Sequence, residues 1–143
     1  MPTRTALKFN QFTAGSGDYA LCTTGEPFRE AEVFCGRHGM ALAIISDAAE
    51  DQAIRSRVTT AGTGEYWIGG TDLDAEGQWM WLNTTRFWSS SGADAGAALA
   101  YEHFLAPPVG GTARNCLFVA TDGTWRDIDC AWPSPFVCER VVP

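Results

Sequence analysis

The sequence predicts an α+β domain, because two helical patterns early in the chain precede a series of short, aromatic-rich strands. The first helix is predicted after Thr24 and is expected to end at Gly39. The second is predicted to begin at Asp47, where Glu50 three residues later completes a capping box, and to run toward Gly62. Both helices are therefore expected in the first half of the chain.

The strands are predicted where β-favouring residues stand between turn signals. They are expected at 42–45, 66–68, 78–82, 116–119, 124–125 and 136–139. Between 83 and about 115 the periodicity disappears, and the small polar residues at 89–96 indicate an irregular loop. A loop of this length inside a compact domain is typical of a binding surface. We therefore predict one domain over 1–143, with antiparallel strands and a long loop region at about 83–115.

The charge of the chain restricts the class of partner. Its 143 residues carry a formal net charge of -7, so nucleic acid and anionic membrane surfaces are expected to repel it. No apolar run reaches the roughly 18 residues that cross a bilayer, and no membrane span is expected. The start of the sequence lacks an apolar leader, so we expect any export signal to lie outside it.

The five cysteines contain no Cys-x-x-Cys pair, which favours disulfides over a zinc or thioredoxin-like motif. The spacing alone leaves their connectivity open. Disulfides indicate an oxidising compartment, so a secreted or extracellular protein is expected. No acid, base and nucleophile converge in the sequence, and His38 and His103 lack metal-ligand spacing. We therefore expect a binding module rather than an enzyme.

A set of motifs in fixed order resembles the C-type lectin-like family. The motifs are Trp67-Ile68-Gly69-Gly70, Glu76-Gly77-Gln78-Trp79-Met80-Trp81, Cys116, Gly123-Thr124-Trp125-Arg126-Asp127, Cys130 and Phe136-Val137-Cys138-Glu139. Each motif is weak evidence alone, but their order, the cysteine spacing and the helix and strand plan agree with one another. The resemblance covers nearly the whole chain, from about Tyr19 to Arg140.

The resemblance implies two disulfides. Cys35 on the first helix is expected to pair with Cys138, and Cys116 with Cys130. Cys22 is left over, either as an inert buried thiol or as an intermolecular bridge that makes a homodimer.

The resemblance also implies where a sugar site should lie. In sugar-binding members a Glu-Pro-Asn or Gln-Pro-Asp triplet, an acidic residue before the third bridge cysteine and a Trp-Asn-Asp triplet hold a calcium ion. The matching positions here are Ala-Pro-Pro at 106–108, Arg114 and Arg126, and only Asp127 keeps its carboxylate. Calcium requires about six to eight oxygen ligands, whereas a guanidinium group has no acceptor. We therefore expect no calcium at this sugar site and no required cofactor.

Three residues offer oxygen atoms for a shifted set of ligands. They are Asp94, Glu102 and Asn115. If they replace the missing ligands, the domain is instead a calcium-dependent carbohydrate-binding lectin.

Two further metal positions follow from the resemblance. Asp72 and Glu76 match an auxiliary calcium pair, although Arg114 at that site indicates that a guanidinium replaces the ion there. Glu50 and Glu139 match a structural calcium site, or else Glu50 caps its helix and Glu139 pairs with a surface cation.

The function predicted from the sequence is calcium-independent recognition of a protein or an anionic glycan. The predicted ligand-binding residues are Glu102, Arg114, Asn115, Arg126 and Asp127. Within an acidic chain, the two arginines can bind a carboxylate or sulfate. The alternatives are ion pairs within the molecule, to Asp127, Glu102 or Asp72, and a scaffold protein whose copies associate.

Overall fold

The computed structural model describes residues 9–14, 17–61, 65–75, 77–82, 85–89, 97–98, 104, 114–120 and 122–140. The helices in these residues are α1 (Phe28–Arg37) and α2 (Ala48–Ala61). The strands are β1 (Phe9–Ala14), β2 (Gly17–Glu26), β3 (Met40–Leu42), β4 (Tyr66–Thr71), β5 (Gln78–Trp81), β6 (Arg86–Ser89), β7 (Ala97–Ala98), β8 (Cys116–Val119), β9 (Trp125–Ile128) and β10 (Ser134–Arg140). The predicted α+β fold is confirmed.

The strands form one continuous sheet in the order β1-β2-β10-β4-β5-β6-β7. Off this path, β3 pairs with β10, and β8 pairs with both β4 and β9. The pairs are antiparallel as predicted, except that β10 and β4 meet in parallel at Phe136 and Trp67. The sheet is therefore mixed, and the parallel contact joins the C-terminal strand to the middle of the chain.

Both faces of the central strands are buried, and each face packs against one helix. The α1-side core contains Phe28 and Cys35 of α1, whereas the α2-side core contains Ile54 and Val58 of α2. Successive residues of a strand point to opposite faces, so each central strand supplies both cores. This two-sided burial explains why the central strands read as continuous apolar runs in the sequence.

Both predicted disulfides are present. Cys35 pairs with Cys138 over a sequence separation of 103, and Cys116 pairs with Cys130 over a separation of 14. Cys22 is a free thiol with 0% exposure in the α1-side core. Burial raises the pKa of the Cys22 thiol. Since a buried, protonated thiol cannot reach another molecule, the structure favours the inert alternative over the intermolecular bridge.

The first predicted helix boundary is wrong. Residues up to Glu26 belong to β2, which pairs with β1 in an N-terminal hairpin that the sequence analysis missed. Helix α1 begins only at Phe28, after Pro27. The fixed φ of a proline suits the start of a helix, whereas the residue before it favours extended backbone. Of the four residues that helical spacing predicts on one face of α1, Phe28, Ala31 and Cys35 are buried and Phe34 is half-buried.

Two predicted strand and loop boundaries also change. The strand expected at 42–45 ends at Leu42, although the next residues stay hydrogen-bonded, as in the bond from the Ala43 N–H to the Val137 carbonyl. The loop region predicted at 83–115 contains β6 and β7. Phe87 and Trp88 of β6 are buried, and two adjacent aromatics were the sequence signal for a strand there.

The capping of α2 follows the prediction in part. The Glu50 N–H donates to Oδ1 of Asp47 at 2.8 Å, as an N-cap requires. The Glu50 carboxylate instead accepts from the Ser46 N–H, one residue earlier than a capping box places it. None of the described helices is an apolar span of membrane-crossing length.

Candidate ligand-binding site

The β8–β9 hairpin carries two of the predicted ligand-binding residues, Arg126 and Asp127. Arg126 lies opposite Phe118 and Asp127 lies opposite Leu117 in its register. Arg126 is exposed and Asp127 is half-buried. Because adjacent residues of a strand point to opposite faces, Arg126 and Asp127 leave β9 on different sides. They do not form one joint contact surface.

Arg126 is held at the tip of this hairpin by an ion pair. Its guanidinium donates to Oδ2 of Asp122 at 2.9 Å, and both side chains are close to half exposed. The hydroxyl and the backbone N–H of Thr124 also donate to Oδ1 of Asp122. These bonds from Thr124, followed by the one from Arg126, lower the pKa of Asp122 to about 2. The internal partner of Arg126 is therefore Asp122, which was not among the three candidates from the sequence.

Helix α2 fixes the position of the hairpin through a buried hydrogen bond. The indole N–H of Trp125 donates to Oδ1 of Asp51 at 3.0 Å, and the two side chains are 0% and 1% exposed. One turn further along α2, Arg55 packs against Gly123, where a Cβ atom would lie 2.1 Å from Cδ of Arg55. Gly123 has a φ of 85°, which suits glycine. No pattern in the sequence indicates either contact.

Arg114 lies beyond the other end of β8, away from Arg126. It is exposed, and within the described ranges no ion pair is formed by its side chain. The carboxylate of Asp72 is 2% exposed, and its Oδ2 accepts the Gly77 N–H at 2.8 Å. An ion pair between Arg114 and Asp72 is not part of this structure. Glu76, the other acid proposed to be neutralised by Arg114, lies outside the described residues.

Asn115 is half-buried and connects this segment to β4 by its backbone. Its carbonyl accepts the Asp72 N–H at 3.2 Å and the Thr71 hydroxyl at 2.5 Å. These bonds fix the chain immediately after Arg114, so the backbone that presents Arg114 is anchored to the sheet.

The two acids of the predicted structural calcium site meet where α2 faces β10. Glu139 accepts the Ile44 N–H at 2.9 Å, and Glu50 accepts the Ser46 N–H and the Tyr19 hydroxyl. Burial, and then the nearby charge of Glu50, raise the pKa of Glu139 despite its bond from Ile44. Burial and the bond to Glu50 raise the pKa of the Tyr19 hydroxyl. The charge of Glu50 is thus one cause of the raised pKa of Glu139, after burial.

This arrangement meets only part of what calcium requires. In the portion of the chain that the structure describes, no group of three or more His, Cys, Asp or Glu side chains is close enough to hold a metal. The nearby Ala43 carbonyl accepts the Gly69 N–H at 2.7 Å. A calcium ion here would take the two carboxylates, with water completing the shell.

The remaining site residues from the sequence lie outside the described residues. They are Glu102, Asp94, His103 and the segment 106–108.

Comparison with known proteins decides the family. A family model described as the lectin C-type domain matches residues 24–140. The chain is a C-type lectin domain. Family members are non-catalytic modules that bind carbohydrate or protein, so the prediction of a binding module rather than an enzyme is confirmed.

Related proteins support the same assignment for this C-type lectin domain. Perlucin of Haliotis laevigata is 32% identical over 130 residues, which cover 85% of this chain and 75% of Perlucin. Collectin-11 of Danio rerio is 33% identical over 122 residues, which cover 85% of this chain but 41% of Collectin-11. The C-type lectin domain thus spans well under half the length of the second relative.

Solved structures share the fold of this C-type lectin domain. The carbohydrate-recognition domain of the mouse scavenger receptor C-type lectin superposes with a TM-score of 0.73 at 26% identity. The alignment covers 95% of this chain and 98% of that one. The human counterpart gives a TM-score of 0.74 at 25% identity, over 94% of this chain and 97% of that one.

Proposed function

We propose that this C-type lectin domain recognises an acidic group on a glycan or protein, without calcium at the usual sugar position. The observation that carries the proposal is that Arg114 and Arg126 present exposed guanidinium groups where sugar-binding relatives need oxygen ligands. A guanidinium binds a carboxylate or sulfate through two parallel hydrogen bonds.

Arg114 is the stronger of the two anchors. It is exposed, and the backbone after it is tied to β4 by the bonds that Asn115 accepts. Arg126 is already paired with Asp122, but both groups are solvent-exposed. An exposed ion pair contributes about 0 to 1 kcal/mol, so a ligand anion can displace Asp122 at little cost. Asp127, half-buried beside Arg126 in sequence, remains a candidate polar contact.

A glycan array with and without calcium tests this proposal. Binding to sulfated or carboxylated glycans should survive chelation, and Arg114→Ala should weaken it about tenfold or more, as expected for loss of a charged hydrogen bond. Arg57→Ala is the matched control, because Arg57 is an exposed arginine on α2. Binding of neutral sugars that a chelator abolishes would instead support a calcium-dependent lectin with a shifted set of ligands. Unchanged anion binding by both Arg114→Ala and Arg126→Ala would contradict the proposal.

A structural calcium at Glu50 and Glu139 is a second proposal. The raised pKa of Glu139 supports it, since burial beside Glu50 disfavours two negative charges and a cation would relieve them. The hydroxyl of Tyr19, which now donates to Glu50, would have to turn away to free that oxygen.

Thermal unfolding with increasing calcium tests the second proposal. Millimolar calcium should raise the melting temperature of the natural chain, and Glu139→Gln should abolish the rise. Tyr19→Phe, which removes the competing hydroxyl, should strengthen calcium binding. No change in melting temperature at millimolar calcium would rule the site out.

We also propose that the protein is exported to an oxidising compartment. The support is its two disulfides, which the reducing cytosol would not maintain. Fractionation of the source cells, with an antibody against the folded domain, tests the location directly.

A further inference from the structure

The outer face of α1 carries a groove of about 290 Å³. Its lining residues are Glu26, Arg29, Glu30, Val33, Phe34 and Arg37. Val33 in this groove is 53% exposed. Phe34 is half-buried at the base of the groove and packs edge-on against Phe136. The centre of the groove is therefore apolar.

The charged residues at the two ends of the groove differ in sign. Glu30 lies in the first turn of α1 and Arg37 in the last, and both side chains are exposed. Arg29, by contrast, is paired with Glu32 at 2.7 Å. In the ranges that the structure describes, neither Glu30 nor Arg37 takes part in an ion pair. Each can therefore pair with another molecule without breaking an ion pair within the described residues.

The spacing of these residues makes the face complementary to itself. Glu30, Val33, Phe34 and Arg37 follow the i, i+3, i+4, i+7 pattern and so form one stripe along α1. If a second copy lies antiparallel, with a twofold axis between positions 33 and 34, each Val33 meets Phe34 of the other copy. Glu30 of each copy then meets Arg37 of the other. A twofold interface requires this kind of self-complementary patch.

We propose that α1 is a self-association surface on which a second copy of this chain docks antiparallel. The occupant is another copy, because the same stripe reversed on itself places each Glu30 against an Arg37 and each Val33 against a Phe34. One short helix on each side buries less area than a standard interface. We therefore expect the association to be weak.

Sedimentation velocity over a concentration series from about 1 to about 500 μM tests the proposal. The natural chain should shift from monomer to dimer. Glu30→Arg and Arg37→Glu should each weaken the dimer about tenfold or more, because each places like charges together at both ends of the interface. An equimolar mixture of the two variants should restore dimers, since Arg at 30 then meets Glu at 37 in one direction and Arg37 meets Glu30 in the other.

The mixture distinguishes loss of the charge pairs between copies from damage to the fold. Circular dichroism melts of both variants check that each one folds. Leu73→Glu is the control, because Leu73 is an exposed apolar residue, at 40%, outside the groove. Three results would overturn the proposal: a natural chain that stays monomeric to about 500 μM, single variants that dimerise normally, or dimers that disappear in Cys22→Ser and therefore depend on the free thiol. Single variants that dimerise weakly, together with dimers restored when the two variants are mixed, support the proposal.

Discussion

The α1-side core and the β8–β9 hairpin each contain a disulfide, but they differ in the burial and charge of the side chains around it. In the α1-side core, Cys35 and Cys138 are 0% exposed and lie among apolar side chains. At the hairpin, Cys130 is half-buried, and the tip carries the exposed pair Arg126 and Asp122. Apolar burial and a long covalent loop hold the first region, whereas the second presents charge to solvent. The difference separates the part of the domain that stabilises the fold from the part that can bind a ligand.

The largest expected effect comes from removing the long-range disulfide. Replacing Cys35 and Cys138 together with alanine should lower the free energy of unfolding by about 4 to 5 kcal/mol, because the loop they close spans 103 positions. Denaturant unfolding measures the loss.

The short-range disulfide is the matched control for that measurement. Replacing Cys116 and Cys130 together with alanine should cost about 3 kcal/mol, since their separation is 14. An equal or larger loss from the short-range pair would mean that the hairpin, and not the α1-side core, limits the stability of the domain.

A smaller loss in the free energy of unfolding is expected from the hydrogen bond that joins α2 to the β8–β9 hairpin. Asp51→Ala removes the acceptor of the buried Trp125 indole N–H and should cost about 1 to 3 kcal/mol. Asp51→Asn keeps an oxygen acceptor at the same place and should cost less. The same denaturant titration compares them, and Asp74→Ala gives the background for an exposed acid. Equal losses for the alanine and asparagine variants would show that the negative charge of Asp51, rather than the hydrogen bond, is needed.

The α1-side core was largely predictable from the sequence, whereas the contacts of the hairpin were not. Phe28, Ala31 and Cys35 repeat at helical spacing, so their common buried face follows from local periodicity. The pairing of Cys35 with Cys138 followed from the resemblance to a family. The bond between Asp51 and Trp125 joins residues 74 positions apart, and no local pattern relates them.

Some contacts and strands that were not predicted do have a local signal in the sequence. The ion pair of Arg126 with Asp122 joins residues four apart across a turn, which the Asp122-Gly123 turn signal could have indicated. Phe87 and Trp88 marked β6 in the same way. The hairpin of β1 and β2 is different, since β2 pairs with β1 on one side and with the distant strand β10 on the other. Pairing with a distant strand decided its structure more than propensity did.

The smallest expected effect is on the pH dependence of stability and comes from the charges at the hairpin tip. The lowered pKa of Asp122 sets the direction of this dependence. The folded state lowers the pKa of Asp122 to about 2, below the usual value near 3.9 for an aspartate. A lowered pKa contributes stability that is present above about pH 4 and is lost as the pH falls toward 2. Asp122→Asn should remove this part of the acid dependence, seen as a flatter melting temperature between about pH 4 and pH 2. Because both partners are exposed, the change should stay below about 1 kcal/mol. A loss of several kcal/mol would place Asp122 among the residues that hold the fold together, and the separation between a stabilising core and a charged, ligand-facing hairpin would no longer hold.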